Sequence, residues 1–309
     1  MSIKKRIFSI LLRLCALFVI AVTTANINTF DERLGAEENR EGMILVLHQE
    51  IRYWDGKLSL STEYEYDSKG RVIKTTCYEP SAYRTQYRDY EYDENGNVIR
   101  AHSVYSHGDD RYWNYQYDAQ GNILQTELYD ADGMLRRIDY EYDVRGNLLL
   151  MTEYNKSGNV EKQECYEYDT QGNITQKTVQ DEDSYHGGLF IYTYEYNVQG
   201  QLIREKYFHE DESCQMEYEY DTSGNMILVT TYDSDENMKH QSRYEYDAQG
   251  NMIQLSIYNA DGEIEYQKKL ELDAQGNQIG EENYKKVYDR LVKTSSLKVI
   301  LEYKWITIE

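Results

Sequence analysis

Three stretches crowd histidine, acid and aromatic side chains together: HSVYSHGDDRYW at residues 102–113, QDEDSYHGGLF at 180–190 and FHEDESCQ at 208–215. Imidazole nitrogen and carboxylate oxygen suit divalent metals and polar ligands. His107, Asp109, Asp183 and His186 are therefore the candidate metal or ligand residues, with variable solvated turns as the ordinary alternative. Other chemistry is harder to find. The chain has no HExxH, G-x-S-x-G, P-loop or Rossmann fingerprint. With 55 acids, paired carboxylates carry no information by themselves, and a glycosidase needs two of them in a cleft, one with a raised pKa. The DENGN and DADG turns lack the twelfth-position glutamate and flanking helices of an EF-hand. The sequence thus implies no enzyme and no cofactor.

What must position the three stretches is a repeat. YEYDAQGN at residues 244–251 and YQYDAQGN at 115–122 are two of nine copies, and their glycines fall 24 to 28 residues apart. A looser turn recurs halfway between them, as in YDADGML at 129–135 and YNKSGNV at 154–160, and the histidine-rich stretches occupy such half-way positions. The elementary unit is then about 12 residues, one strand and one turn, as in a β meander. In a meander, alternate turns lie on opposite edges, so the half-way turns share one edge. Functional residues favour such loops on a rigid frame.

The copies form an internal mutational series. Glycine is kept in all nine, as a positive-φ position closing a type I turn with a G1 bulge requires. Asp becomes Asn197 in the sixth copy, which keeps an Asx-turn acceptor and deletes the charge. Both tyrosines become leucine in the ninth, at Leu270 and Leu272, so the pair reads as apolar packing surface. In Y-E-Y the two-residue strand period puts the tyrosines on one face and the glutamate on the other. The glutamates then form a solvated stripe or a cation rail, with Gln116 its one exception.

Eighteen to 20 strands follow from this spacing, and open twisted sheets seldom exceed about 10 without curling or closing. The expected fold is all-β: a repetitive antiparallel meander coiled into a spiral, trough or partial barrel. A turn or so of helix near Tyr284 to Lys293 is the one helical expectation.

The copies from Tyr64 to Gln278 resemble the YD repeat of the RHS family, the tyrosine-aspartate repeats of bacterial rearrangement-hotspot proteins, insecticidal toxin shells and teneurins. The resemblance implies a spiral β shell and suggests a container. Toxin members of that family carry a proline-rich cleavage region and a C-terminal effector. This chain has only Pro80 and no DPxGL motif, so a fragment of a toxin-delivery shell ranks low.

The ends and the charge place the chain. Lys4, Lys5 and Arg6 precede an apolar run from Leu14 to Val22 and small residues at Thr23 to Ala25. That is the layout of a secretory signal peptide, with an uncleaved anchor as the alternative. The expected organisation is a signal peptide at 1–25, an acidic linker at 26–42, the repeat domain at 43–280 and capping strands at 281–309. A net charge of −22 repels phosphate backbones and anionic headgroups, which argues against nucleic acid and membrane surfaces. Cys77, Cys165 and Cys214 read as small buried side chains, with a Cys165–Cys214 bridge as the alternative. The expected role is a secreted or cell-surface bacterial scaffold that binds a protein or surface glycan, without membrane insertion after processing. Trp54, Trp113 and Trp305 do not follow glycine, unlike the Gly-Trp pairs of cell-wall-binding repeats.

Overall fold

Alternating apolar and polar residues between Asp-Gly turns fold as antiparallel strands throughout. The computed structural model describes residues 43–307, apart from 83, 107, 109, 183–186, 211, 275 and 288–289. The strands are β1 (Met43–Trp54), β2 (Lys57–Tyr66), β3 (Val72–Glu79), β4 (Arg84–Tyr92), β5 (Val98–Tyr105), β6 (Arg111–Tyr117) and β7 (Ile123–Asp130). They continue with β8 (Gly133–Tyr142), β9 (Leu148–Asn155), β10 (Val160–Tyr168), β11 (Ile174–Asp181), β12 (Gly188–Tyr196), β13 (Leu202–His209) and β14 (Glu212–Tyr220). The last are β15 (Met226–Tyr232), β16 (Met238–Tyr246), β17 (Met252–Asn259), β18 (Ile264–Leu272), β19 (Gln278–Val287) and β20 (Arg290–Thr307). Two compact units divide the chain, Val46–Lys304 and Met1–Leu45 with Trp305–Glu309. The features below belong to the first.

Each strand pairs with its sequence neighbours, and β20 pairs with both β19 and β1. The sheet therefore closes on itself, one of the outcomes that its strand number demands. Asp55 clasps the seam: its N–H donates to the Ser296 carbonyl at 2.9 Å, and its carboxylate accepts from the Ser296 N–H at 2.7 Å. Tyr284 to Lys293, expected to hold helix, instead spans the hairpin of β19 and β20 with Val287 opposite Arg290. Strand pairing on both sides of that segment overrides its helix propensity. Among the described residues the helical piece is a 3-10 turn at Pro80–Ala82.

The repeat turns share one construction. In the third copy the Gly121 N–H donates to the Asp118 carbonyl at 3.2 Å, and the Asp118 N–H donates to the Asn122 carbonyl at 2.9 Å. The strand register slips by one residue between Gln116 and Tyr117, the bulge that accompanies such a turn. The Asp118 carboxylate accepts from the N–H groups of Gln120 and Asn122 and from the Asn122 side-chain amide, at 2.8 to 2.9 Å. In the sixth copy Asn197 replaces that aspartate, and its amide donates to Gln201 Oε1 at 2.8 Å. Glutamine thus takes the place of the usual partner asparagine. Successive turns also stack closely. A Cβ on Gly276, where φ is +85°, would lie 2.9 Å from Asn251 Oδ1, so that site excludes a side chain on two counts.

The tyrosine pair does more than pack. The second tyrosine of eight copies donates its hydroxyl to a backbone carbonyl of the preceding unit, as Tyr142 does to Ile123 at 2.9 Å, Tyr220 to Leu202 at 2.8 Å and Tyr246 to Met226 at 2.7 Å. Reading the pair as apolar surface alone, from Leu270 and Leu272, misses this ladder of phenol bonds. Apolar burial is correspondingly thin. Among the described residues seven hydrophobic side chains are buried, and one cluster joins Met216, Tyr218 and Val229 with Leu202, Tyr220, Met226 and Tyr244 on adjoining strands. A ring of 20 strands has a perimeter of about 96 Å, too long for side chains to fill from one wall. Hydrogen bonds between neighbours therefore carry an unusual share of the stabilisation.

Candidate functional site

The half-way turns are where the anticipated site residues fall. His107, Asp109, Asp183 and His186 lie outside the described residues. Beside the first two, His102 stacks on Tyr112 with ring centroids 4.3 Å apart and planes 2° from parallel. Its Nδ1 lies 3.9 Å from Asp89 and its Nε2 3.7 Å from Asp110. That Nε2 is buried without a hydrogen-bond partner. Beside the second pair, His209 stacks on Phe190 at 4.1 Å. Histidine, acid and aromatic groups are thus brought together at this edge, but among the described residues no three His, Cys, Asp or Glu side chains converge to hold a metal ion.

The glutamates between the tyrosines stand exposed, and three of them face a cation across the strand pair: Glu65 with Lys74 at 3.9 Å, Glu91 with Arg100 at 3.7 Å and Glu195 with Arg204 at 2.9 Å. This row is a laced, solvated stripe, and exposed pairs of this kind contribute little stability.

The tyrosine face carries the more perturbed groups. Glu164 accepts from Lys162 and Lys177, both at 2.7 Å, and from the Tyr166 hydroxyl at 2.5 Å. Burial alone would raise its pKa, but these donors outweigh it and the carboxyl falls to about 2. Burial raises Glu205 instead, against the hydrogen bond from Tyr218 at 2.9 Å. Carboxyls displaced in opposite directions are what acid–base catalysis would use. The backbones of Glu164 and Glu205 on β10 and β13 stand three strands across and four residues along from each other, about 20 Å, whereas glycosidase carboxyl pairs lie about 5 to 9.5 Å apart. The geometry does not support that chemistry.

Among the described residues Cys77, Cys165 and Cys214 are free thiols; Cys165 is exposed and the other two half-buried, rather than buried as expected. Cys165 precedes Tyr166, so the alternation turns it toward the glutamate face. Burial pushes the Cys214 thiol up to about 11, with Glu205 adding to the effect. A thiol so placed is not a thiolate at neutral pH and is a poor nucleophile.

Sequence comparison gives the relations of the chain. Residues 20–204, more than half of its 309, match the family described as the teneurin YD-shell. No curated protein matches. Among solved structures, the crystal structure of TcdB2-TccC3 is 13% identical with a TM-score of 0.35, covering 78% of this chain and 18% of that one. The crystal structure of TcdB2-TccC3-Cdc42 is also 13% identical, with a TM-score of 0.34, covering 77% of this chain and 17% of that one. A porin-like protein from Bacteroides uniformis ATCC 8492 is 12% identical with a TM-score of 0.38, covering 82% and 96%. The chain therefore spans less than a fifth of the TcdB2-TccC3 chains.

Proposed function

Because the chain belongs to the teneurin YD-shell family, we propose that it is a non-enzymatic scaffold, exported from a bacterial cell, that binds a protein partner along its half-way-turn edge. In this reading residues 1–25 direct export, 26–42 form an acidic linker, 43–280 form the repeat wall and 281–309 complete it. The carrying observation is a division of labour between the copies. The aspartate, asparagine and glycine of most copies and the second tyrosine of eight are committed to turns and to hydroxyl–carbonyl bonds. Chemical variety is left to the half-way turns, where His102, Asp110 and Tyr112 gather on one edge and Phe190 and His209 farther along it.

A glycan-binding reading requires open aromatic faces for stacking. The rings of the repeated tyrosine pairs are half-buried or buried instead. Tyr78 is exposed, but the equivalent tyrosines of later copies, Tyr129, Tyr154, Tyr232 and Tyr258, are half-buried. Protein recognition is therefore preferred over surface glycan.

The test is a loop exchange. Residues 106–110 and 182–187 are replaced by the NKSGN turn of residues 155–159, and parent and variant are used as baits against secreted and surface proteins. The variant should keep its circular dichroism and lose the partner that the parent retains. A partner held equally by both would refute the assignment to this edge.

A further inference from the structure

Departures from the repeat converge on one cleft. Third after each turn glycine the copies place isoleucine or leucine, from Ile73 to Ile279, and the fifth alone has a polar residue there, Thr175. Gln176 pairs in register with Thr193, so the antiparallel ladder carries Thr175 against Tyr194. The next turn is the one in which Asn197 replaces aspartate. Between these two turns the stack of copies also opens. A Cβ on six of the turn glycines would lie 2.9 to 4.0 Å from the asparagine or glutamine of the copy before, whereas one on Gly200 would have nothing within 4 Å.

Thr175, Tyr194 and Asn197 line the resulting cleft of about 350 Å³ with Asp169, Thr170 and Tyr196, a volume at the lower end for small-ligand sites. No lysine, arginine or histidine lines it. Asp169 is its one carboxylate, and its oxygens accept from the Gln171 N–H, the Asn173 N–H and the Asn173 amide at 2.8 to 2.9 Å. A carboxylate offers about four lone-pair sites, so one stays open. The Asn173 amide and the turn N–H groups hold the Asp169 carboxyl below its ordinary range. Burial raises the Tyr196 phenol and the Asp169 charge adds to it, so that charge is felt across the cleft. The hydroxyls of Thr170, Thr175 and Tyr194 have no hydrogen-bond partner among the described residues. Elsewhere on this wall tyrosine rings take a cation on their face, as Tyr87 takes Lys74 at 5.6 Å and Tyr258 takes Arg243 at 4.8 Å. The rings of Tyr194 and Tyr196 carry none among the described residues.

We propose that this cleft receives one alkylammonium group, the side chain of a lysine on a partner protein. An ammonium has three N–H donors, which match the open Asp169 lone pair and the neighbouring hydroxyl oxygens. Its aliphatic stem lies along the tyrosine rings, whose faces attract the charge. Asparagine at 197 leaves one negative charge for one positive charge, where aspartate in both turns would present two. The net charge of −22 draws cationic partners toward the wall. The cleft lies on the edge opposite the half-way turns, so it goes beyond the reading above and adds a second point of contact.

Saturation-transfer NMR of the full chain with N-acetyl-lysine methylamide tests it. The probe should bind saturably with a Kd of about 1 mM, the scale for so small a ligand. Its Nε-acetylated form, which has lost the charge, should bind at least about tenfold more weakly. Thr175→Ile installs the residue of other copies, leaves the charge alone and fills the cleft, and should weaken the probe by a similar factor. Asp169→Asn with Asn173→Gln rebuilds the turn as the Asn197–Gln201 pair and should also weaken it about tenfold. The equally charged variant Asp118→Asn with Asn122→Gln, in the third copy, should not. Equal weakening by the third-copy variant would reduce the effect to net charge and overturn the proposal. Equal binding of the acetylated probe, or indifference to Thr175→Ile with unchanged circular dichroism, would do the same. Tighter binding of n-butylamine than of the lysine probe would overturn the assignment to a partner's side chain. The exchange of residues 106–110 and 182–187 should leave probe binding unchanged, so either reading can fail alone.

Discussion

Replacing Tyr246 by phenylalanine removes one hydroxyl and leaves the ring. The lost bond is the 2.7 Å contact with the Met226 carbonyl, and a neutral intramolecular hydrogen bond contributes about 1 kcal/mol net. Eight such bonds give a ladder worth about 8 kcal/mol, comparable with the whole stability of an ordinary domain. The ninth copy allows the reverse experiment. Leu272 occupies the position of the second tyrosine and pairs in register with Gln278, as Tyr246 pairs with Met252. Leu272→Tyr should therefore place a hydroxyl at the Met252 carbonyl and stabilise the chain by about 1 kcal/mol. With a urea m-value of about 3 kcal/mol/M, Tyr246→Phe should lower the midpoint by about 0.3 M and Leu272→Tyr raise it by a similar amount. The double variant should return near the parent. If neither single variant moves the midpoint, the rings alone stabilise the wall and the ladder reasoning is wrong.

Other outcomes follow from the turns and the buried acids. Asp247→Asn should destabilise the eighth copy, because the Asn251 amide loses its acceptor Oδ2 at 3.0 Å, and adding Asn251→Gln should restore melting toward the parent by recreating the Asn197–Gln201 pair. Gly276→Ala should cost about 1 to 2 kcal/mol in denaturant melts from its backbone conformation alone, with the approach of Asn251 adding to it. Glu164 has a folded pKa of about 2, below its ordinary 4.5, so its contribution is intact above pH 4.5 and is lost as pH falls toward 2. Glu164→Gln should flatten that limb of a stability–pH curve. Glu205 has the opposite displacement: the folded state holds its proton more tightly, so stability falls as pH rises past 4.5. Glu205→Gln, which keeps an acceptor for Tyr218, should stabilise the chain at pH 7 and lose that advantage at pH 4.

Local features were legible because the sequence repeats them. The asparagine at residue 197 announced that the turn needs an acceptor more than a charge, and the Y-E-Y alternation placed Glu65 and Glu91 in solvent. Two features lay in pairs that no local pattern links. The seam joins Asp55 to Ser296 across 241 residues, and each phenol bond crosses some 20 residues to a carbonyl, whose role leaves no mark on side-chain identity. The leucines of the ninth copy then pointed away from the hydroxyls, since one copy can forgo a bond that eight retain. Cys165 was legible in principle from its position beside Tyr166, but its apolar character outweighed strict alternation.

Closure of β20 on β1 has a consequence for how such a chain can change length over time. In an antiparallel ring the first and last strands meet correctly only when the strand number is even. Duplication or loss of one strand would set the two ends parallel and break the seam, whereas gain or loss of two leaves every pairing intact. One copy of the repeat is two strands, so gene duplication can resize this wall by whole copies, each step altering the circumference by about 10 Å.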